Sequence, residues 1–375
     1  MLYYLSQLLT PYWGPFRLLQ SHALLLAGGT FTAAILTWFI LPRLWDRLPH
    51  DHGKAILKDM DGMDSKGKPT GAGLVVSLVA LPVVALFAPL KAWDLAAVFA
   101  LYGAMLFGYL DDRSLVPWGE LKKGLLDAVV SVAIAVFIFL GHSDVVDGSH
   151  VMVSWLPFFK GATMMGDVGV WLIPGWAYIP VAAFVLWFTM NATNCSDGVD
   201  GLAGTLTVIT LAMLAVVLYV VVGYRPVAHY FLIPVYAEAA RWAIVVMVVA
   251  GAFGGYLWYN AEPSRILMGD AGSRFLGILV ATASLMTGNP FFVLFLSPVI
   301  LVNGGGGLAK LVMLRVAKRL GFQIPDDSVI RKIRFPLHDH CKKKLGWKNP
   351  QVLMRFVLLQ LAVMPILLLL LLKVR

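Results

Sequence analysis

Only 21 of the 375 residues are Asp or Glu, and those best placed for chemistry gather in short polar stretches between long apolar runs. Asp111 and Asp112 close the run Phe107-Gly108-Tyr109-Leu110. Asn191, Asn194, Asp197 and Asp200 recur every third residue up to Gly201, and Asn260 opens a stretch that ends Met268-Gly269-Asp270-Ala271-Gly272-Ser273. A carboxylate next to hydrocarbon is expensive and is usually kept for function. Taken singly, each of these is read as a solvated marker of a span end; five together among Gly, Asn and Ser are not. Adjacent residues on a helix point about 100° apart, so Asp111 and Asp112 cannot serve one ligand in the same way. Gly198 and Gly201 open the 191–201 stretch into a loop, giving amides and carboxylates suited to a planar polar ligand such as a nucleobase with its ribose. Near Asp270, Gly269 and Gly272 allow close backbone approach at a helix start, which favours phosphate, and a lone carboxylate beside phosphates is the usual holder of Mg²⁺. Lys66-Gly67-Lys68-Pro69-Thr70-Gly71-Ala72-Gly73 offers cations, a hydroxyl and glycines without the order of a Walker A loop. In Pro336-Leu337-His338-Asp339-His340-Cys341 the zinc-type ligands are too close together to reach one metal.

Long apolar elements must position these groups. The chain is 59% hydrophobic and 14% charged with a mean hydropathy of +0.79, which excludes a soluble domain, a disordered chain and a collagen-like one. Two cysteines exclude a disulfide-stapled secreted domain. Residues 1–21 lack the basic start and small-residue cleavage site of a signal peptide. Apolar runs predict spans near 22–44, 71–90, 94–111, 124–141, 176–193, 204–222, 241–259, 273–288, 291–310 and 351–373. The fold class expected is an all-α integral membrane protein of about ten transmembrane helices, a single polytopic domain over residues 1–375 with a small β-hairpin within 151–173.

The positive-inside rule orients the spans. Arg43, Arg47, Lys54, Lys58, Lys66 and Lys68 follow the first; Arg113, Lys122 and Lys123 the third; Arg265 and Arg274 the seventh; and the ninth is followed by a strongly basic stretch from Lys310 to Lys348. Both termini and the hairpin are therefore expected outside. The active-site loops, near 45–70, 111–123, 191–203, 260–273 and 311–350, are expected on the cytoplasmic side. The net charge of +9 is explained by topology together with attraction of anionic lipid or a phosphorylated substrate, and no nucleic-acid partner is expected.

Leu110-Asp111-Asp112, Asn191-x-x-Asn194-x-x-Asp197-Gly198-x-Asp200-Gly201-Leu202-Ala203, Met268-Gly269-Asp270-x-Gly272-Ser273 and Pro336-Leu337-His338-x-His340, in this order, resemble the phospho-N-acetylmuramoyl-pentapeptide transferase family. The resemblance implies transfer of phospho-MurNAc-pentapeptide from UDP-MurNAc-pentapeptide to undecaprenyl phosphate, giving lipid I and UMP, in a bacterial cytoplasmic membrane. It further implies Mg²⁺ on Asp270, Asp111 nearest the lipid phosphate and Asp112 supporting the site. Lys66, Thr70, Asn191, Asn194, Asp197, Asp200 and Asn260 would contact the nucleotide, and His338 and His340 the sugar diphosphate. Expected partners are the two substrates, the lipid bilayer and a second copy of the chain. Departures from the family pattern are Asp339 between the histidines, where it is expected to orient one ring, and Leu115 in place of a lysine, for which Lys122 or Lys123 would substitute. Gly304 to Gly307 interrupt the ninth span where a bend is expected. A transferase acting on UDP-N-acetylglucosamine and an ion-coupled transporter are the alternatives, the latter disfavoured because its carboxylates would lie near the bilayer midplane.

Overall fold

A computed structural model of the protein describes residues 1–51, 67–114, 116, 118–156, 158–159, 161–165, 168–322, 325 and 328–373. Helix α1 is Leu2–Leu9, and α2 (His22–Leu44), α3 (Ala72–Phe87), α4 (Ala92–Arg113) and α5 (Glu120–His142) follow. A sheet then precedes α6 (Gly175–Cys195), α7 (Leu202–Val216), α8 (Arg225–Tyr230), α9 (Ala239–Asn260) and α10 (Gly269–Leu285). The last elements are α11 (Phe292–Leu296), α12 (Pro298–Arg319), α13 (Val329–Lys332), α14 (Leu337–Leu345) and α15 (Asn349–Lys373). Among the described residues eight helices are long and apolar enough to cross a membrane. Two of the expected spans correspond to shorter helices, α3 with 16 residues and α10 with 17. The ninth is broken: α11 ends before Pro298, and α12 makes a π-helical turn at Leu301–Gly305. Proline has no N–H to continue a helix, and π turns are a known cause of bends.

Helix α10 is the hub. Every residue from Ala271 to Leu285 is buried, and the helix packs against α3, α4, α6 and α7. Two helix starts come into close backbone contact where Gly73 of α3 meets Gly272 of α10. A Cβ on Gly73 would lie 2.1 Å from the Gly272 Cα, so any larger residue there forces the two helix starts apart. Arg274, read from sequence as a loop cation, lies inside α10 because this helix begins four residues earlier than the apolar run suggested.

The expected hairpin is a larger structure, a four-stranded antiparallel sheet in the order β1-β2-β4-β3, with β1 Asp144–Val146, β2 Ser149–Ser154, β3 Thr163–Met165 and β4 Val168–Pro174. The β1–β2 turn is Asp147-Gly148, both at positive φ, as a two-residue hairpin requires. The sheet is tied to the far end of α10 from Asp270. Trp155, fully buried, donates its backbone N–H to the Gly288 carbonyl at 3.1 Å and its indole N–H to that of Thr287 at 2.8 Å. Sheet and polar stretches thus sit at opposite ends of a helix about 25 Å long.

Candidate active site

The polar stretches meet where α4, α6 and α9 end and α5, α7 and α10 begin. At the end of α4, Asp112 turns both carboxylate oxygens to the start of α10: Oδ1 accepts the Asp270 backbone N–H at 3.0 Å and Oδ2 that of Ala271 at 3.1 Å. The first N–H groups of a helix have no partner within it, so a carboxylate from another helix caps α10 and meets the positive end of its dipole. Gly269, at φ +73°, is required here, since a Cβ would lie 2.4 Å from Asp112 Oδ2. The neighbouring Asp111 faces elsewhere. Its Oδ1 accepts the Trp118 backbone N–H at 2.8 Å, and its Oδ2 is in ion-pair contact with the Lys123 ammonium from α5. Lys123 Nζ is also 3.5 Å from Asp270 Oδ2, so one cation sits between two carboxylates contributed by α4 and α10.

That arrangement suits a metal ion of the magnesium type. No group of three or more His, Cys, Asp or Glu among the described residues is arranged to hold a metal ion, but Mg²⁺ is usually held by one or two carboxylates, with waters and substrate phosphates completing its shell. Asp111 and Asp270 would provide those two. Of the two lysines expected to replace the absent one, Lys123 reaches the carboxylates, while the Lys122 ammonium lies 3.5 Å from the centroid of the Trp118 ring.

A second part of the site is built on backbone. Asn194 at the end of α6 donates to Ser273 Oγ at 3.2 Å. Asn191 donates to the Trp187 carbonyl of its own helix at 2.9 Å, three residues deeper than Asn194. Asn260, buried at the end of α9, uses its amide as a clasp: Oδ1 accepts the Gly201 N–H at 2.8 Å and Nδ2 donates to the Ile266 carbonyl at 2.8 Å. Asp200 lies 3.7 Å from the Lys68 ammonium, which donates to Ser264 Oγ at 3.0 Å. Thr70 is half-buried beside Gly71, and the strip 69–73 is laced to Leu267 and Met268 by three backbone hydrogen bonds. Asp197 is exposed. Lys66, the remaining nucleotide residue expected from the sequence, lies outside the described residues.

The histidine segment forms α14. It is seated by a small apolar cluster in which Cys341 packs with Val199, Leu202, Ile300, Val352 and Phe356. His338 is buried against Gly198, where a Cβ would come within 2.3 Å of Nε2. Asn303, from the π turn of α12, turns its Oδ1 to the His338 backbone N–H at 2.9 Å and to Nδ1 at 3.2 Å. Asp339 is 3.7 Å from Nε2, so Asn303 rather than Asp339 is the nearer partner orienting this ring. Burial pushes the His338 imidazole down to about 4, Lys342 adding to the fall and Asp339 opposing it. His340 Nδ1 accepts the Arg334 backbone N–H at 3.2 Å. In the sequence only the neighbouring Gly304 to Gly307 are marked as a bend; the signal for Asn303 is a lone amide beside four glycines in an apolar run. Neither Cys195 nor Cys341 is in a disulfide bond among the described residues.

Residues 94–288 match the family model described as glycosyl transferase family 4. Phospho-N-acetylmuramoyl-pentapeptide-transferase from Treponema pallidum (strain Nichols) is 40% identical over 350 residues, covering 93% of this chain and 90% of that protein. The protein of the same name from Borreliella afzelii (strain PKo) is 26% identical over 91% of this chain and 93% of its own length. With the aspartates, the asparagine loop and the histidine helix converging at one end of the bundle, the chain belongs to the phospho-N-acetylmuramoyl-pentapeptide-transferase family.

Proposed function

We propose that this protein transfers phospho-MurNAc-pentapeptide from UDP-MurNAc-pentapeptide to undecaprenyl phosphate, producing lipid I and UMP at the cytoplasmic face of a bacterial inner membrane, with both termini and the sheet outside. The observation that carries the reading is the Lys123 ammonium between Asp111 and Asp270 at the Asp112-capped start of α10. Two phosphate groups must approach one another for this reaction, so the chief task is to neutralise charge and hold the attack in line. When bound at Asp111 and Asp270, magnesium supplies charge neutralisation for the diphosphate and the departing UMP. Lys123, on a flexible stem, is placed to exchange its carboxylate partners for a phosphate oxygen. Asp111 faces the lipid phosphate, which is already largely ionised near neutral pH, and accepts its last proton where one remains. The loop of Asn194, Asp197 and Asp200 takes the uridine side, while His338 and His340 lie toward the sugar diphosphate. A second copy of the chain, expected from the family resemblance, belongs to the same reading.

The test is a competition in membranes containing the protein, with radiolabelled UDP-MurNAc-pentapeptide challenged by unlabelled UDP-N-acetylglucosamine, and in Mg²⁺ against EDTA. Label is expected in extractable lipid, resistant to the competitor and lost with the chelator. Label displaced by UDP-N-acetylglucosamine, or transfer unaffected by EDTA, would refute the substrate or the metal respectively.

A further inference from the structure

One helical turn below Asp270 lies a buried pair that the proposed chemistry does not use. Arg274 is the sole charge among the buried residues Ala271 to Leu285 of α10. Its Nη1 donates to both carboxylate oxygens of Asp127, a fully buried residue of α5, and its Nη2 lies 3.6 Å from Asp270 Oδ2. The spacing is reciprocal. On α5, Lys123 and Asp127 are four residues apart, and on α10 so are Asp270 and Arg274, which places each pair on one face of its helix. The side chains of the two helices thus set plus over minus against minus over plus.

We propose that Arg274, anchored by Asp127, is a positioning residue that holds the Asp270 carboxylate at the place where the transfer reaction needs it; the inference rests on the function proposed above. Replacing a buried ion pair with apolar side chains is often neutral or stabilising, so the pair is a poor device for stability alone. It is a good device for aim. A guanidinium fixed at one end by a carboxylate presents its other nitrogen from a set point, which an ammonium on a free stem does not. Arg274 is only 5% exposed and lies beneath Asp270, so it does not meet substrate itself. Lys123, about a quarter exposed, is free to leave for a phosphate, and Asp270 Oδ2 then keeps one fixed positive neighbour. Asp127 balances that charge, so Asp270 is oriented without repelling an incoming cation.

The test compares the wild-type protein with the double variant Asp127→Leu/Arg274→Leu and with Arg274→Lys, measuring thermal unfolding, kcat, KM for the nucleotide sugar, and direct Mn²⁺ binding by electron paramagnetic resonance. A small misplacement of a reacting group can lower the rate by about a hundredfold. The double variant is expected to unfold within a few degrees of wild type, lose at least about tenfold in kcat with KM changed less than about twofold, and bind Mn²⁺ several-fold more weakly. Arg274→Lys, which cannot span Asp127 and Asp270 together, is expected to show the same split and decides the matter should the double variant not fold. Wild-type kcat and Mn²⁺ affinity in the double variant, or in Arg274→Lys where the double variant does not fold, would overturn the proposal. An inactive wild-type chain would instead refute the transfer reaction, and Mn²⁺ binding would still judge the role of Arg274.

Discussion

Asp112 commits both oxygens to backbone N–H groups of α10, whereas Asp111 keeps Oδ2 for the Lys123 ammonium. The two therefore differ in what their loss does. Asp112→Asn removes one capping bond and the charge at a helix start, each worth about 1 kcal/mol, and is expected to lower the unfolding temperature as well as the rate. Asp111→Asn is expected to leave the unfolding temperature nearly unchanged while reducing kcat by more than about tenfold, roughly 1.4 kcal/mol or more. Asp270→Asn is expected to fold and to lose Mg²⁺-dependent transfer. Unfolding scans beside initial rates separate the three; equal unfolding temperatures for both Asp111→Asn and Asp112→Asn would remove the capping role. The aspartates themselves are legible in the sequence because carboxylates are rare in so apolar a chain. Their partners are not: the Asp112 to Asp270 bond joins residues 158 apart, and the Arg274 to Asp127 pair residues 147 apart, and no local pattern fixes which helices become neighbours.

At the scale of elements, α14 offers a pH test. The His338 ring ionises at about 4 in the folded protein against 6.5 for a free imidazole, because its charged form loses water on burial. An unfolded chain therefore binds more protons between pH 6.5 and 4, so this contribution to stability is complete above pH 6.5 and is lost progressively as pH falls toward 4. The unfolding temperature, measured across that window, is expected to fall less in His338→Gln than in wild type; parallel curves would show that the ring stays solvated. Close packing sets a second limit. A Cβ at Gly304 would stand 1.9 Å from the Ala192 carbonyl oxygen of α6, so Gly304→Ala is expected to shift the π turn that carries Asn303 and to loosen the His338 contact, read as a higher KM for the nucleotide sugar. Each expected span coincides with a helix, or in the ninth case with a broken run, because hydropathy reports the solvent of an entire segment. Short strands carry no such signal. β1 and β3 have three residues each, and their place in the sheet comes from pairing with β2 and β4, although Asp147-Gly148 was a readable turn.

For the whole molecule, orientation is open to a direct measurement. The proposed orientation puts Cys195 and Cys341 on the cytoplasmic side, so a membrane-impermeant maleimide added to intact cells is expected to miss both and to label Gly148→Cys in the sheet turn; the reverse pattern would turn the molecule over and move the site to the other face. The two short helices bear on depth. Helices α3 and α10 lie side by side and begin at the site, and with 16 and 17 residues they rise about 24 and 25 Å where hydrocarbon is about 30 Å thick. If their outer ends lie level with the other helices, the carboxylates lie some 5 Å below the surrounding bilayer surface. A polyprenyl phosphate would then reach them without being drawn out of the leaflet, and the turnover rate would depend on acyl-chain length, highest in the thinner membranes that fit these two helices.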